Sequence, residues 1–216
     1  MEKFKTIVED SVSAELVEKK SKFIANLFFV SSVEEAENKI KELKKKYFDA
    51  RHNCSAYIIN DNNEITKKSS DDGEPSGTAG APMLEILEKN NLANVLVVVT
   101  RYFGGILLGT GGLVRAYSDA LKLAIKNATW QKQEHGFEMN VYLDYSDIEN
   151  FKYYCGKHDI KIIDTEYLDS VDCKIELNDN EKALLENDYE NQNSLKIKKI
   201  DKIRQKNVTC LSKDVD

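Results

Sequence analysis

No stretch of this chain is apolar for longer than the five residues 95–99, far short of the roughly 20 that a bilayer-spanning helix needs. The first ten residues are charged and hold no apolar signal-peptide core. Cysteine is scarce: Cys54, Cys155, Cys173 and Cys210 are the four, and none are closely paired in sequence. That disfavours a disulfide framework and a paired-cysteine zinc site, and fits free thiols in a reducing compartment. Proline is limited to Pro75 and Pro82, so nothing reads as a proline-rich linker. There is no excess of basic charge either. The formal net charge is −6, which argues against indiscriminate coating of nucleic acid. These absences leave a cytoplasmic protein with no membrane partner.

The nucleotide and hydrolase motifs are also missing. No G-x-x-x-x-G-K-[ST] occurs, and the glycines at 104–112 do not form G-x-G-x-x-G. No G-x-S-x-G is present to make a serine nucleophile elbow. The sequence therefore offers no recognisable catalytic motif and calls for no cofactor and no metal.

What is present reads as two α+β halves. Residues 1–133 carry 19 basic and 18 acidic residues, and residues 134–216 carry 12 and 19. Residues 4–30 read as extended. Ser32 followed by Glu35 is a capping-box signature. Behind it Val33, Ala36, Ile40, Leu43 and Tyr47 recur at helical spacing, and Lys44, Lys45 and Lys46 suit that helix's C-terminus. Residues 54–59 and 64–69 form a hairpin around Asp61-Asn62-Asn63. A helix carrying Pro82 in its first turn follows, then a buried strand at 95–100. The next helix shows Leu113, Tyr117, Leu121 and Ala124 on one face. His135-Gly136 marks a boundary. Beyond it, strand 137–143, helix 148–155, strands 160–167 and 171–177, helix 181–189 and strand 195–203 give βαββαβ, the ferredoxin-like order.

Two loops carry the chemistry. Gly77-Thr78-Ala79-Gly80 opens one helix, and Leu108-Gly109-Thr110-Gly111-Gly112 opens another. Glycine lets a ligand approach the backbone closely, and a helix start offers free N–H groups and partial positive charge to phosphate or carboxylate. Arg101 precedes Gly104-Gly105, and Arg115 lies in the first turn of the second helix. Each arginine needs an anion, either a ligand phosphate or one of Asp71, Asp72 and Glu74 in the acidic loop. Those acids suit Mg²⁺ in principle, but solvated turn charges are the commoner reading. His52 with Cys54 suits a metal or nucleophile pair, against a structural role for both. Lys20 and Lys22, with Lys19, either face the same groove or protect a strand edge.

Several motifs together resemble the IMPACT family, whose bacterial members are called YigZ. They are Glu18-Lys19-Lys20-Ser21-Lys22-Phe23-Ile24, His52-x-Cys54-x-Ala56, the run 71–82, and Thr100-Arg101-Tyr102-Phe103-Gly104-Gly105 through Leu108-Gly109-x-Gly111-Gly112-Leu113-x-Arg115-Ala116-Tyr117. The resemblance implies a first domain like domain 2 of ribosomal protein S5, with helices on one side of a sheet, and then a ferredoxin-like domain. The same order of domain types closes elongation factor G. It implies no firm enzymatic reaction. Eukaryotic relatives act in translational control through protein partners, using an added N-terminal domain absent here.

Three functions stay open on these residues. The first is a non-catalytic RNA- or ribosome-associated factor, holding phosphate-type anions in a groove made by Lys20, Lys22, His52, Gly77, Thr78, Gly80, Arg101, Gly104, Gly105, Gly109, Gly111, Gly112 and Arg115. The second is an enzyme acting on a small phosphorylated substrate. The third is a protein-interaction regulator.

Overall fold

A computed structural model describes residues 3–61, 64–191 and 195–210. It divides the chain into two compact units, one spanning Phe4–Lys132 and the other built on the residues from Gln133 onward. No described helix is long and apolar enough to cross a membrane.

The first unit contains β1 (Phe4–Ile7), β2 (Ser11–Glu18), β3 (Ser21–Phe29), α1 (Val33–Lys46), β4 (His52–Asp61), β5 (Glu64–Ser70), α2 (Gly80–Lys89), β6 (Val95–Tyr102) and α3 (Thr110–Asn127). Its main sheet runs β2-β3-β6-β4-β5, antiparallel throughout. The Asn62-Asn63 part of the expected hairpin turn lies outside the described residues. At the start of α1, Ser32 Oγ accepts from Glu35 N–H at 3.2 Å. The reciprocal bond lands one residue early, on Ser31 N–H at 2.8 Å.

The helices do not all lie on one side of the sheet. β6 is apolar at five successive positions and buried on both faces. Val95, Val97 and Val99 pack with Met83, Leu87, Leu113 and Tyr117 of α2 and α3. Leu96 and Val98 face the other way and pack with Ala36 and Leu43 of α1, together with Tyr57 and Ile59. A continuous apolar strand needs cover on both faces, and α1 supplies the second.

The second unit holds most of β7 (Trp130–Leu143), then α4 (Ile148–Lys157), β8 (Lys161–Tyr167), β9 (Val171–Asn178), α5 (Asp179–Glu190) and β10 (Ile197–Thr209). β7 pairs with both β9 and β10, and β9 pairs with β8, all antiparallel. The order β10-β7-β9-β8 is the ferredoxin-like one. Val171, Cys173, Ile175 and Leu177 point into its core with Phe151 and Leu185. His135-Gly136, the expected boundary, falls just beyond the division between Lys132 and Gln133. It lies inside β7, where a side chain on Gly136 would come 2.5 Å from Leu177 O.

Candidate functional site

The three acids of the 71–74 loop each hold a different element. Asp71 Oδ1 accepts from Ala79 N–H (2.9 Å) and Gly80 N–H (2.8 Å), and its Oδ2 accepts from Gly77 N–H (2.8 Å). Burial works against the Asp71 charge, but the Gly77, Gly80 and Ala79 bonds outweigh it and hold the pKa below its ordinary value. Asp72 Oδ2 accepts from Asn53 N–H at 2.7 Å, and its Oδ1 pairs with Lys44 at 2.5 Å. Glu74 is buried and takes both Arg101 Nη1 (2.7 Å) and Tyr117 Oη (2.8 Å) on one oxygen.

This loop reassigns much of the expected anion groove. At the start of α2 the backbone donors of Gly77, Ala79 and Gly80 serve the chain's own carboxylate. Thr78 is buried and donates from Oγ1 to Pro75 O at 2.7 Å. Gly80 is glycine because a Cβ there would lie 2.7 Å from Ser70 N. Arg101 has its anion in Glu74, so the choice between ligand and acidic loop falls to the loop. Its guanidinium carbon lies 5.6 Å from the ring centroids of both Phe23 and Phe103, and its Nε is buried without a partner. His52 Nδ1 bonds Asp72 O at 2.9 Å. Cys54 donates from Sγ to Asp71 O at 2.9 Å and lies 3.3 Å from Tyr117 Oη. Burial above all pushes the Cys54 thiol up to about 12, and burial pushes the Tyr117 hydroxyl up as well. His52 and Cys54 therefore brace the acidic loop. Lys22 pairs with Glu15 of the adjacent strand at 2.7 Å.

The start of α3 is different. Gly109 is the N-cap at φ 73°, and no side chain caps this helix. Gly109, Thr110 and Gly111 are exposed, and a Cβ on Gly111 would meet nothing within 4 Å. Arg115 is exposed, and its Nε donates to Gly111 O at 3.2 Å. Among the described residues it makes no ion pair. Arg115 is the sixth residue of α3, in its second turn rather than the first turn expected from the sequence, so the helix dipole opposes it little. Beside it lies a cleft of about 340 Å³ lined by Leu16, Glu18, Lys19, Leu108, Gly112, Arg115, Ala116 and Asp119. Asp119 is already paired with Lys122 at 3.0 Å.

Lys19 and Lys20 form the two-residue turn between β2 and β3, at φ 46° and 64°. A tight hairpin turn with both residues at positive φ normally takes Asn-Gly, and a lysine there carries strain. Gly104 explains part of the packing. Its N–H donates to Ser21 Oγ at 3.1 Å, and a Cβ would fall 2.0 Å from Lys20 C. Gly104 is thus a close-packing residue. Gly105, at φ 83°, is free of such contacts. Lys20, Gly105, Gly109, Gly111, Gly112 and Arg115 stay at one exposed end of the unit, where Lys19 joins them. Phe103 and Leu107 are also exposed here; neither is among the site residues expected from the sequence, and Phe103 enters there only within the family motif. The signal was visible as apolar residues inside a glycine-bounded loop.

Comparison with known proteins identifies both parts of the chain. The model of the Impact N-terminal domain matches residues 19–125, and that of a domain of unknown function, DUF1949, matches residues 141–188. The IMPACT family member YvyE of Bacillus subtilis is 53% identical over 53% of this chain and 52% of its own length, so the match spans about half of that relative. The IMPACT family member YigZ of Escherichia coli is 38% identical over 69% of this chain and 74% of its own. A crystal structure of a hypothetical protein aligns at 32% identity and a TM-score of 0.62, covering 91% of this chain and 97% of that one. With its N-terminal motifs on the matched domain and YigZ matched over most of its length, the chain belongs to the IMPACT family, in the bacterial two-domain arrangement.

Proposed function

We propose that this protein is a non-catalytic RNA- or ribosome-associated factor in translational regulation, which holds a phosphate of the nucleic acid at the start of α3. The observation that carries the reading is the contrast between two glycine-rich helix starts in one unit. The start of α2 is filled by Asp71, whereas that of α3 has no side-chain cap. Arg115 and Lys19 line the adjoining cleft. Backbone N–H groups and a positive helix end suit phosphate, and a planar guanidinium adds a bidentate fork.

The state of the titratable groups nearby supports a non-catalytic role. Asp71, Asp72 and Glu74 are committed to backbone, lysine and arginine partners. Cys54 and Tyr117 are pushed away from neutrality, so neither serves as a nucleophile or base near pH 7. A role in translation rests on family membership.

The test is titration of RNA at several salt concentrations with the wild type and Arg115→Ala. Loss of one phosphate contact should lower the slope of log K against log salt by about 0.7–0.9. Unchanged affinity and slope in a folded Arg115→Ala protein would remove the α3 site.

A further inference from the structure

The loop that feeds the start of α3 carries side chains that a phosphate does not need. Phe103 is 48% exposed and Leu107 is 83% exposed, with Ile106 between them at 42%. Large apolar groups left in water cost free energy unless something covers them. The loop's position is fixed at both ends. Gly104 is wedged against the Lys19-Lys20 turn, and Leu108 lines the cleft that also holds Arg115 and Gly112. Leu108 alone of this loop lines the cleft with Lys19 and Arg115, and Phe103, Ile106 and Leu107 lie on the same short loop, within six residues before it in the chain.

Arg101 adds a second, independent feature. It is buried to 6% exposure beneath Phe103, and its Nε has no hydrogen-bond partner. Among the described residues its guanidinium hydrogen-bonds through Nη1 alone, to Glu74. A buried donor without an acceptor is costly, and here it sits directly behind an exposed aromatic ring. A ring flanked on one side by a guanidinium has its other face available to a stacking partner.

Duplex nucleic acid hides its base faces and offers a protein mainly phosphates and groove edges. An unpaired strand offers both a phosphate and an adjacent base face, the two chemistries found side by side here. Resting on the phosphate reading above, we infer that the ligand is single-stranded RNA, with an unpaired base stacked on Phe103 and packed by Leu107 while the neighbouring phosphate sits at Gly111 and Arg115. The base is read by its face, so sequence preference is weak.

The experiment compares an unstructured oligouridine with a blunt RNA duplex of equal nucleotide length, using the full chain. Phe103→Ala and Leu107→Ala should weaken oligouridine binding, the former by roughly 5- to 150-fold, and leave duplex binding unchanged. Phe103→Trp should restore affinity, and its fluorescence should be quenched by oligouridine. Arg115→Ala should weaken both ligands. If duplex binds as tightly as the single strand, or Phe103→Ala affects both alike, the stacking inference falls while the phosphate site stands. If neither RNA binds the wild type, both fall. If a folded Phe103→Ala protein and Leu107→Ala both bind oligouridine normally, these side chains have no part in the ligand.

Discussion

Replacing Arg101 should cost stability first, because its charge is answered inside the protein. In Arg101→Met, Glu74 keeps its burial and its bond from Tyr117 but loses the only cation bonded to it among the described residues. Side-chain exposures of 7% and 4% leave little water to screen or solvate the remaining carboxylate. Removing one member of such a buried pair costs about 3–5 kcal/mol, much more than the pair contributes over a neutral replacement. For a unit of this size that lowers Tm by roughly 10–20 °C. The double variant Arg101→Met/Glu74→Gln removes the stranded charge and keeps an acceptor for Tyr117. It should recover most of the loss. Thermal melts by circular dichroism at neutral pH, on the two single variants and the double, close a thermodynamic cycle with the wild type. A drop below about 1 kcal/mol in Arg101→Met, or a double variant as unstable as Arg101→Met alone, would show that the pair does not hold the acidic loop.

Four further outcomes follow from the same geometry. Asp71→Asn should cost about 1–2 kcal/mol, the scale of a lost helix cap. Because the folded-state pKa lies below the ordinary 3.8, the deficit should be full above that pH and should close as acid titration of the wild type passes through the lowered value; a pH-independent deficit would contradict this. Gly104→Ala should be severely destabilising because its Cβ would lie 2.0 Å from Lys20 C, whereas Gly111→Ala should leave Tm unchanged or slightly raised; equal melts would refute the close-packing assignment. Cys54, with its thiol pushed up to about 12, should resist alkylation at pH 8 until the protein is unfolded, and metal analysis should find no stoichiometric zinc; rapid native labelling of Cys54 or one bound equivalent lost in Cys54→Ser would count against its bracing role. A fragment beginning at Gln133 should fold, whereas one beginning at Phe137 should be less stable, because it loses the β7 residues that pair with Lys206, Asn207, Val208 and Thr209; equal circular dichroism melts would show those pairs to be dispensable.

The sequence by itself determined the elements and their class. Periodicity placed α1, α3 and α4, because an amphipathic stripe is a local pattern that tertiary packing only ratifies. The alternation in β9 and the βαββαβ order led to the ferredoxin-like unit for the same reason. The sequence pattern starts the strand that joins the halves at Phe137 rather than Trp130, because residues 130–136 lack clean alternation: Gln131, Lys132, Gln133 and Glu134 are polar or charged and half-covered by neighbours, and His135 and Gly136 are buried. The sequence also marked two glycine-rich helix starts and two arginines as unusual. It could not tell them apart, since each pair is chemically alike along the chain. Only the tertiary structure decided that Asp71 closes one start and that Glu74 claims one arginine, by folding residues 71–74 back over the ends of β4 and β6. Hydrogen bonds between residues 8 to 43 positions apart leave no periodic trace. Which donors remain for a ligand is settled by what the rest of the chain has already taken.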